Sequence, residues 1–548
     1  MVRIRCGALL FAILGMSPRG LLAQPAPAPL PIGEQIGACL AREDPACAEP
    51  LIATLQKEAP GSTSAEYSHG IEEFLSGRLA TAHTSLQRVA GSPLAPAAVR
   101  ERAQSYLDLV DSTAEVHAGA QAHKLAGGRA VVYLRPGQDE VLLPNLERVV
   151  GKAIPKLEAA FGRVPGPPIA IYVYPRVADL GRVSGLTVEQ IRTSGTIALC
   201  KYNRVMITSP ADLVFGYDWA DTVAHELVHW FIIKHGGPEV PVWLHEGLAR
   251  SFEGAWRDGE PLALDREERA ALLAARKKGK FITLARMSPS MALLPSQEDT
   301  QLAFAEVHHA AGWLLRHAAR EGDGTAVAAA GQAGRLIGYF GAGMGEADAL
   351  QRFAQVTPAT FAASWRRDLQ KADLKPVEHA GNEPVRARPE RLLFRGAGPG
   401  AAGTHDLSTE ARRFAELGDR LAVLKRPLAA AIEYRKAIAA GGAEGPLLVA
   451  RLGRVLLDLG KTTEALEYLE PAIQAHPDHA PLHILVGRAR VLLGQYREAL
   501  DALDAAALIN PYDPELHAFA SQAYAALGQP GDAAAAKARE QLVAGPTP

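Results

Sequence analysis

The chain has 548 residues, of which 48% are hydrophobic and 22% are charged, so several globular domains with sizeable cores are expected. Its formal net charge of -2 gives no electrostatic basis for binding nucleic acid or an anionic membrane surface. Local motifs, rather than net charge, therefore carry the indications of function.

The N-terminus has the pattern of a secretory signal peptide over residues 1–23. Arg3 and Arg5 precede a short apolar run, and Ala23 offers a small residue at the cleavage position. An uncleaved anchor is the alternative, although the apolar run is short for a bilayer span. We expect a periplasmic or secreted protein with no membrane span in the mature chain.

Three cysteines remain after the predicted cleavage site. Cys39 and Cys47 are close in sequence, and an oxidising compartment permits a disulfide between them. Two buried free thiols are the other interpretation. Cys200 has no supporting residues around it, so no catalytic role is expected for its thiol.

Residues 24–125 have a helical pattern, whereas residues 126–375 mix strand-like and helical patterns. Short β-branched and aromatic runs at 130–134 and 169–174 predict strands, and an amphipathic helix is predicted between them. The segment 196–208 predicts a hairpin, and helices follow from Asp221. This mixture predicts an α+β domain with a small sheet and a helical part.

A Pro/Gly-rich linker is predicted at 376–405, and an internal repeat follows it at 406–548. Glycines, alanines and prolines recur there every 34 residues, at Gly460, Gly494 and Gly528, at Ala465, Ala499 and Ala533, and at Pro477 and Pro511. This period and these small residues are typical of tetratricopeptide (TPR) repeats, whose paired helices pack closely. We expect an all-α solenoid whose groove binds a protein partner. Gly77 and Ala82 resemble the same hairpin, so the N-terminal region is TPR-like.

The stretch HELVH at 225–229 carries the strongest chemical signal in the chain. His225 and His229 are four residues apart, so on a helix both imidazoles project from one face and can bind one metal ion. Glu226 lies beside His225 and can act as a base toward a water molecule at that metal. This arrangement is typical of zinc peptidases.

Two residues compete as the third protein ligand that a catalytic zinc site needs. His235 has the spacing of the metzincin pattern, but Ile232 stands where that pattern has a helix-breaking glycine. A continuing helix would turn His235 away from His229. Glu246 lies 17 residues after His229, and a returning helix could bring it back, so it is the better candidate.

HELVH followed by WLHEGLA resembles the gluzincin (MA clan) zinc metallopeptidases, especially the bacterial peptidase MA-like domains, over about residues 129–374. The resemblance implies that His225, His229 and Glu246 bind Zn²⁺. It also implies that Glu226 is the general base and proton shuttle, acting on a peptide or protein substrate.

Two positions depart from the resemblance. Thermolysin-type members place a carboxylate four residues after the third ligand, where this chain has Arg250; Asp221 or Glu253 could replace it in orienting a ligand histidine. Phe304 stands where related domains often carry an oxyanion-stabilising tyrosine. The alternatives for that role are His308, His309 and, more weakly, Tyr202.

The resemblance further implies that the strand before the zinc helix binds the substrate backbone. The segment formed by Gly195, Thr196, Ile197 and Ala198 is the candidate, with an ordinary hairpin strand as the alternative. The leading hypothesis is thus a zinc metallopeptidase with a TPR module, of endopeptidase or unspecified cleavage type. The rival is a TPR binding scaffold that carries a weakly active or inactive zinc domain.

Overall fold

The computed structural model describes residues 30–259, 262–288, 291, 294–319, 326–375, 407–442 and 445–545. The predicted signal peptide at 1–23 and the predicted linker at 376–405 lie outside these ranges. Within them the protein is mostly helical, and none of the described helices is long and apolar enough to cross a membrane.

The N-terminal unit consists of consecutive helices packed as antiparallel hairpins. They are α1 (Ile32–Ala41), α2 (Pro45–Glu58), α3 (Thr63–Leu75), α4 (Leu79–Ala90) and α5 (Ala97–His117). Cys39 and Cys47 form a disulfide between α1 and α2, so the oxidised alternative is the one observed. A Cβ on Gly70 of α3 would lie 2.8 Å from Cγ of Leu86 on α4, so the two helices pack in close contact.

One mixed sheet follows, and it begins earlier than the sequence predicted. Its strands are β1 (Gln121–Leu125), β2 (Ala130–Leu134), β3 (Ile169–Tyr174), β4 (Ala198–Lys201) and β5 (Arg204–Thr208). The prediction of helix up to residue 125 is therefore wrong for β1. That strand is mostly polar and exposed, and it pairs antiparallel with β2 from Gln121 opposite Leu134. Strand pairing, rather than its own hydrophobic pattern, determines its conformation.

The strand order is β1-β2-β3-β5-β4, which places β4 at one edge of the sheet. β2, β3 and β5 are parallel, whereas β1 and β4 run antiparallel to their neighbours. Helix α6 (Leu143–Phe161) connects β2 to β3 and buries an apolar face that includes Leu146, Val150 and Leu157. The strands and the amphipathic helix predicted from sequence are present at these positions.

The helical part of this region packs on the sheet in one continuous core. Its helices are α7 (Val177–Ser184), α8 (Val188–Ser194), α9 (Trp219–Gly236), α10 (Val242–Phe252), α11 (Arg266–Lys278), α12 (Gln297–Ala318), α13 (Ala326–Ala330), α14 (Ala333–Gly341), α15 (Glu346–Ala354) and α16 (Pro358–Lys371). Helix α9 lies against β4, β5 and α6, and α10 lies between α9 and α12. The expected α+β arrangement of a small sheet and a larger helical part is present.

The C-terminal part is an all-α solenoid of four hairpins. Its helices are α17 (Thr409–Val423), α18 (Pro427–Ala437), α19 (Pro446–Asp458), α20 (Thr462–Ala475), α21 (Ala480–Leu492), α22 (Tyr496–Ala507), α23 (Pro514–Ala526) and α24 (Pro530–Ala544). A glycine on the first helix packs against a residue 16 positions later on the second, as in Gly453 with Leu469 and Gly487 with Leu503. Gly70 and Leu86 have the same separation, so α3 and α4 repeat this contact in the N-terminal unit.

The solenoid docks on the segment that leads into α9. The indole nitrogen of Trp219 donates to the carbonyl of Ala507 at 3.1 Å, and the backbone N–H of Tyr217 donates to the Ile509 carbonyl at 3.1 Å. The Tyr512 hydroxyl donates to Asp139 at 2.5 Å. The loop between α22 and α23 thus contacts the start of the helix that carries HELVH.

Candidate metal centre

Three potential ligand atoms converge where α9 and α10 lie side by side. Nε2 of His225 and Nε2 of His229 are 3.1 Å apart, and Oε2 of Glu246 is 3.5 Å and 3.7 Å from them. Ligands on a tetrahedron with metal–ligand bonds of ~2.0–2.1 Å stand about 3.4 Å apart. The three side chains are 12–25% exposed, so the cluster opens to solvent on one side. Its spacing fits one zinc ion with an open position.

The path of the chain explains how Glu246 returns to α9. Helix α9 continues to Gly236, and Gly237 adopts a φ of 71°, a left-handed value that favours glycine and ends the helix. Pro241 then precedes α10. Gly247 follows Glu246, and a Cβ there would lie 2.5 Å from the Val307 carbonyl, so α10 packs tightly on α12. The turn and the close packing together direct Glu246 toward the two histidines.

Glu253 binds the ring nitrogen of His225 that faces away from the cluster. His225 Nδ1 donates to Glu253 Oε2 at 2.9 Å, which leaves Nε2 directed at His229 and Glu246. Arg250 lies 3.6 Å from the other oxygen of Glu253 and stacks over Phe304 at 4.3 Å. Glu253, and not the residue at position 250, is therefore the carboxylate that binds His225, and Arg250 lies beside it.

Burial and the neighbouring charges set the protonation of the cluster. Burial alone raises the pKa of Glu246, but His229 and His225 outweigh it and lower that pKa to about 2. Burial lowers the pKa of His225, but bonds to Glu246 and Glu253 raise it to about 9. Burial lowers the pKa of His229. These shifts favour an anionic Glu246 paired with a protonated His225.

His245 is a site neighbour that the sequence did not predict. Its Nδ1 lies 2.6 Å from Nδ1 of His229, so one ring donates and the other accepts. When His229 is the donor, its Nε2 is the unprotonated atom that faces His225 and Glu246. The available signal was the histidine directly before Glu246 in WLHEGLA.

Glu226 is buried beside the cluster, with 7% of its surface exposed. Its carboxylate accepts a hydrogen bond from the backbone N–H of Cys200 on β4, and its Oε2 atom has no hydrogen-bond partner among the described residues. Burial raises the pKa of Glu226 to about 7, although His225 opposes the shift. A carboxylate with an unpaired buried oxygen and a pKa near neutrality is suited to exchanging a proton.

Strand β4 begins at Ala198, three residues after Gly195, so the predicted strand over Gly195–Ala198 is partly wrong. Gly195 ends α8 with a φ of 72°, and the N–H of Thr196 donates to the Ile191 carbonyl, so both belong to a helix-terminating turn. The Ile197 carbonyl accepts from Thr208 on β5. The pairing alternates along β4, so the backbone groups of Ala198 and Cys200 face the free edge.

The two histidines considered for oxyanion stabilisation are bound elsewhere. Nδ1 of His308 lies 2.8 Å from Glu268 on α11, and Nε2 of His309 lies 3.6 Å from Asp368 on α16. Both imidazoles are buried in contacts between helices. The structure therefore does not bring either one to the cluster, because α12 presents Phe304 and Val307 to α10 instead.

The remaining candidates also have other contacts. Asp221 accepts from the indole of Trp256 and from two guanidinium nitrogens of Arg257, Nε and Nη2, which fastens the turn after α10 to α9. His235 donates from Nε2 to the Gly162 carbonyl at 3.1 Å. Tyr202 lies in the β4–β5 turn and packs on Phe74. None of these three side chains is part of the cluster formed by His225, His229 and Glu246.

The comparisons with known proteins concern the repeats. A tetratricopeptide-repeat family model matches residues 456–523. A thermophilic TPR protein of Thermus thermophilus is 26% identical, with 24% of this chain and 72% of that chain covered and a TM-score of 0.23. MamA from Desulfovibrio magneticus is 19% identical, covering 24% and 75% at a TM-score of 0.23.

The Cut9–Hcn1 hetero-tetramer of the APC/C is 14% identical, with 94% of each chain covered and a TM-score of 0.24. The search of curated proteins gave no match. The family match and the glycine contacts of the hairpins agree with the 34-residue period. The C-terminal part of this chain is a tetratricopeptide-repeat region, a type of module that binds proteins.

Proposed function

We propose that this protein is a zinc-dependent peptidase of gluzincin type that acts outside the cytoplasm and binds a protein partner through its TPR groove. The observation that carries the proposal is the set of Nε2 and Oε2 atoms of His225, His229 and Glu246, which lie 3.1–3.7 Å apart. Two imidazoles and one carboxylate with an open side are the ligand set of catalytic zinc sites in peptidases.

The surroundings of the cluster support a catalytic rather than a structural metal. A catalytic zinc keeps three protein ligands and an open position, and the side chains of His225, His229 and Glu246 are partly exposed to solvent. Glu226 adds a buried, unpaired carboxylate oxygen beside them, which a purely structural site does not need. The disulfide between Cys39 and Cys47 is consistent with an oxidising compartment.

The residues divide the chemistry between them. His225, His229 and Glu246 would hold the zinc ion, oriented by Glu253 and His245. Bound zinc supplies a Lewis acid that polarises the scissile carbonyl and acidifies water. Glu226 takes a proton from the attacking water and returns it to the departing amine nitrogen. The free edge of β4 pairs with an extended substrate through the backbone of Ala198.

The test is zinc content and peptide cleavage measured on the same preparations. His225→Ala should lose both zinc and cleavage, because it removes a ligand. Glu226→Gln should keep zinc and lose turnover, since the amide cannot accept the proton. Cleavage of a broad peptide library by Glu226→Gln at the wild-type rate would overturn the mechanism.

The second candidate is a TPR scaffold whose zinc domain turns over weakly or not at all. It is favoured by the position of Phe304, which lies under Arg250 and offers no donor where related domains carry tyrosine. On this view the chain binds zinc but cleaves no peptide in the library. Zinc binding without cleavage in the wild type would select the scaffold over the peptidase.

A further inference from the structure

The short loop between α1 and α2 contacts two elements of the candidate centre. The disulfide between Cys39 and Cys47 closes this loop, and Glu43 lies inside it with a φ of 51°. A left-handed conformation is unfavourable for a residue with a Cβ. The loop nevertheless has glutamate rather than glycine there, and the glutamate side chain makes contacts that glycine could not make.

The Glu43 side chain binds the turn of the β4–β5 hairpin. Its two carboxylate oxygens accept hydrogen bonds from the backbone N–H groups of Tyr202 and Asn203, at 2.7 Å and 2.6 Å. Both turn residues have φ near 60°, and this conformation presents two successive N–H groups outward. Short bonds to an ionised carboxylate are stronger than neutral ones, so the turn is held firmly.

The Glu43 backbone binds the zinc helix. Its carbonyl accepts from Nζ of Lys234, five residues after His229 on α9. The same hairpin is linked to α9 a second time through β4, where the Cys200 N–H donates to Glu226. Neighbouring contacts from the N-terminal unit reinforce the turn, because Asn203 donates to the Leu75 carbonyl.

We propose that Glu43 is a positioning residue that fixes the edge strand β4 relative to α9, with the disulfide holding its loop in place. This inference rests on the proposed function, because it concerns how a peptide on β4 is aligned with Glu226. Since Glu43 touches neither the ligands nor β4 itself, it acts through the turn. The N-terminal unit is thereby part of the substrate site's support.

The experiment compares Glu43→Ala and Glu43→Gln in the full chain, with Glu49→Ala on exposed α2 as the matched control. Hydrogen exchange is measured at the amides of Tyr202, Asn203 and Cys200, together with zinc content and cleavage kinetics. In Glu43→Ala the amides of Tyr202 and Asn203 should exchange about tenfold faster or more, because their charge-assisted bonds to Glu43 are lost, and the Cys200 amide should exchange faster because β4 is no longer fixed against Glu226. Glu43→Gln keeps an acceptor and should lie between Glu43→Ala and wild type.

Zinc content should remain at the wild-type value in all variants, and KM for peptides should rise more than kcat falls. Paired substitution Cys39→Ala/Cys47→Ala should reproduce part of the faster exchange at the turn. Unchanged exchange at Tyr202 and Asn203 in Glu43→Ala would overturn the positioning role, whatever the cleavage result. Faster exchange at these amides in a protein that cleaves no peptide would instead leave the contact standing and remove the peptidase proposal.

Discussion

Nδ1 of His225 donates a hydrogen bond to Oε2 of Glu253, and the opposite nitrogen of the same ring faces His229. The bond fixes both the tautomer and the orientation of the ring. Glu253→Gln should therefore lower zinc affinity about 10–100-fold, as loss of such partners does in other zinc sites. Titration with a competing chelator measures the change, and Glu239→Gln on the exposed turn after α9 is the control. Equal affinities for both variants would show that Glu253 does not orient the ligand.

The assignment of the third ligand makes opposite predictions for two residues. Glu246→Ala should abolish the binding of one zinc ion per chain, because the Oε2 atom of Glu246 lies within 3.7 Å of both histidine nitrogens. His235→Ala should keep it, because His235 binds the Gly162 carbonyl. Metal analysis after dialysis distinguishes them. The reverse result would support His235 as the third ligand, as in the metzincin-like alternative.

The local sequence pattern was sufficient to predict part of the candidate centre. The four-residue spacing of His225 and His229 fixes their common face on any helix, and Ile232 indicated that α9 continues past the point where His235 could turn inward. The 34-residue period likewise marks a helix contact that recurs between Gly453 and Leu469 and between Gly487 and Leu503. Such features depend only on helix geometry, so no knowledge of tertiary structure was required.

Other features depend on which elements meet in space. Asp221 and Glu253 were equal candidates for orienting a ligand, and only the packing of α10 on α9 separates them. His308 was a candidate for stabilising the oxyanion, but the rotation of α12 turns it to Glu268. The early strand β1 is stabilised by its partner β2. These outcomes follow from tertiary contacts that a linear pattern does not contain.

The buried carboxyl group of Glu306, which lies away from the candidate centre, should make the free energy of unfolding depend on pH. Burial raises its pKa from 4.5 to about 8, although the Ile282 N–H opposes the shift. The folded state therefore holds this proton more tightly than the unfolded chain does. The associated stability is complete below about pH 4.5 and is lost as pH rises to about 8, by at most ~1.4 kcal/mol per pH unit.

Glu306→Gln removes this titration and retains an acceptor for Ile282. As the pH increases from about 5 to about 8, the unfolding temperature of the variant should increase relative to that of the wild type. Thermal melts of both proteins in matched buffers provide the measurement. A constant difference across this range would show that Glu306 does not titrate there.

The repeat hairpins depend on glycine at the helix contact. A Cβ on Gly487 would lie 2.6 Å from Cγ of Leu503, so Gly487→Ala should destabilise the solenoid by about 1–3 kcal/mol. Gly531→Ala is the matched control, because nothing lies within 4 Å of its Cβ position on α24. The control should be neutral or slightly stabilising. Denaturant unfolding of the two variants tests the difference, and equal stabilities would contradict it.

The dock between the solenoid and α9 can be disturbed at one glycine. Gly216 has a φ of 72°, and a Cβ there would collide with the Ile509 carbonyl. Gly216→Ala should separate the α22–α23 loop from the start of α9 and weaken the bond between Trp219 and Ala507. Gly279→Ala has similar backbone strain at a φ of 65° but open space around its Cβ, so it isolates the collision from the strain.

Limited proteolysis and Trp219 accessibility measure the separation. Gly216→Ala should expose the indole and release the solenoid sooner than Gly279→Ala does, because only the former loses contacts across the dock. If the separation also lowers zinc affinity, the solenoid stabilises the geometry of α9, since the dock lies six residues before His225. If zinc affinity is unchanged, the other contacts of α9, which include α6, α10, β4 and β5, maintain the ligand geometry.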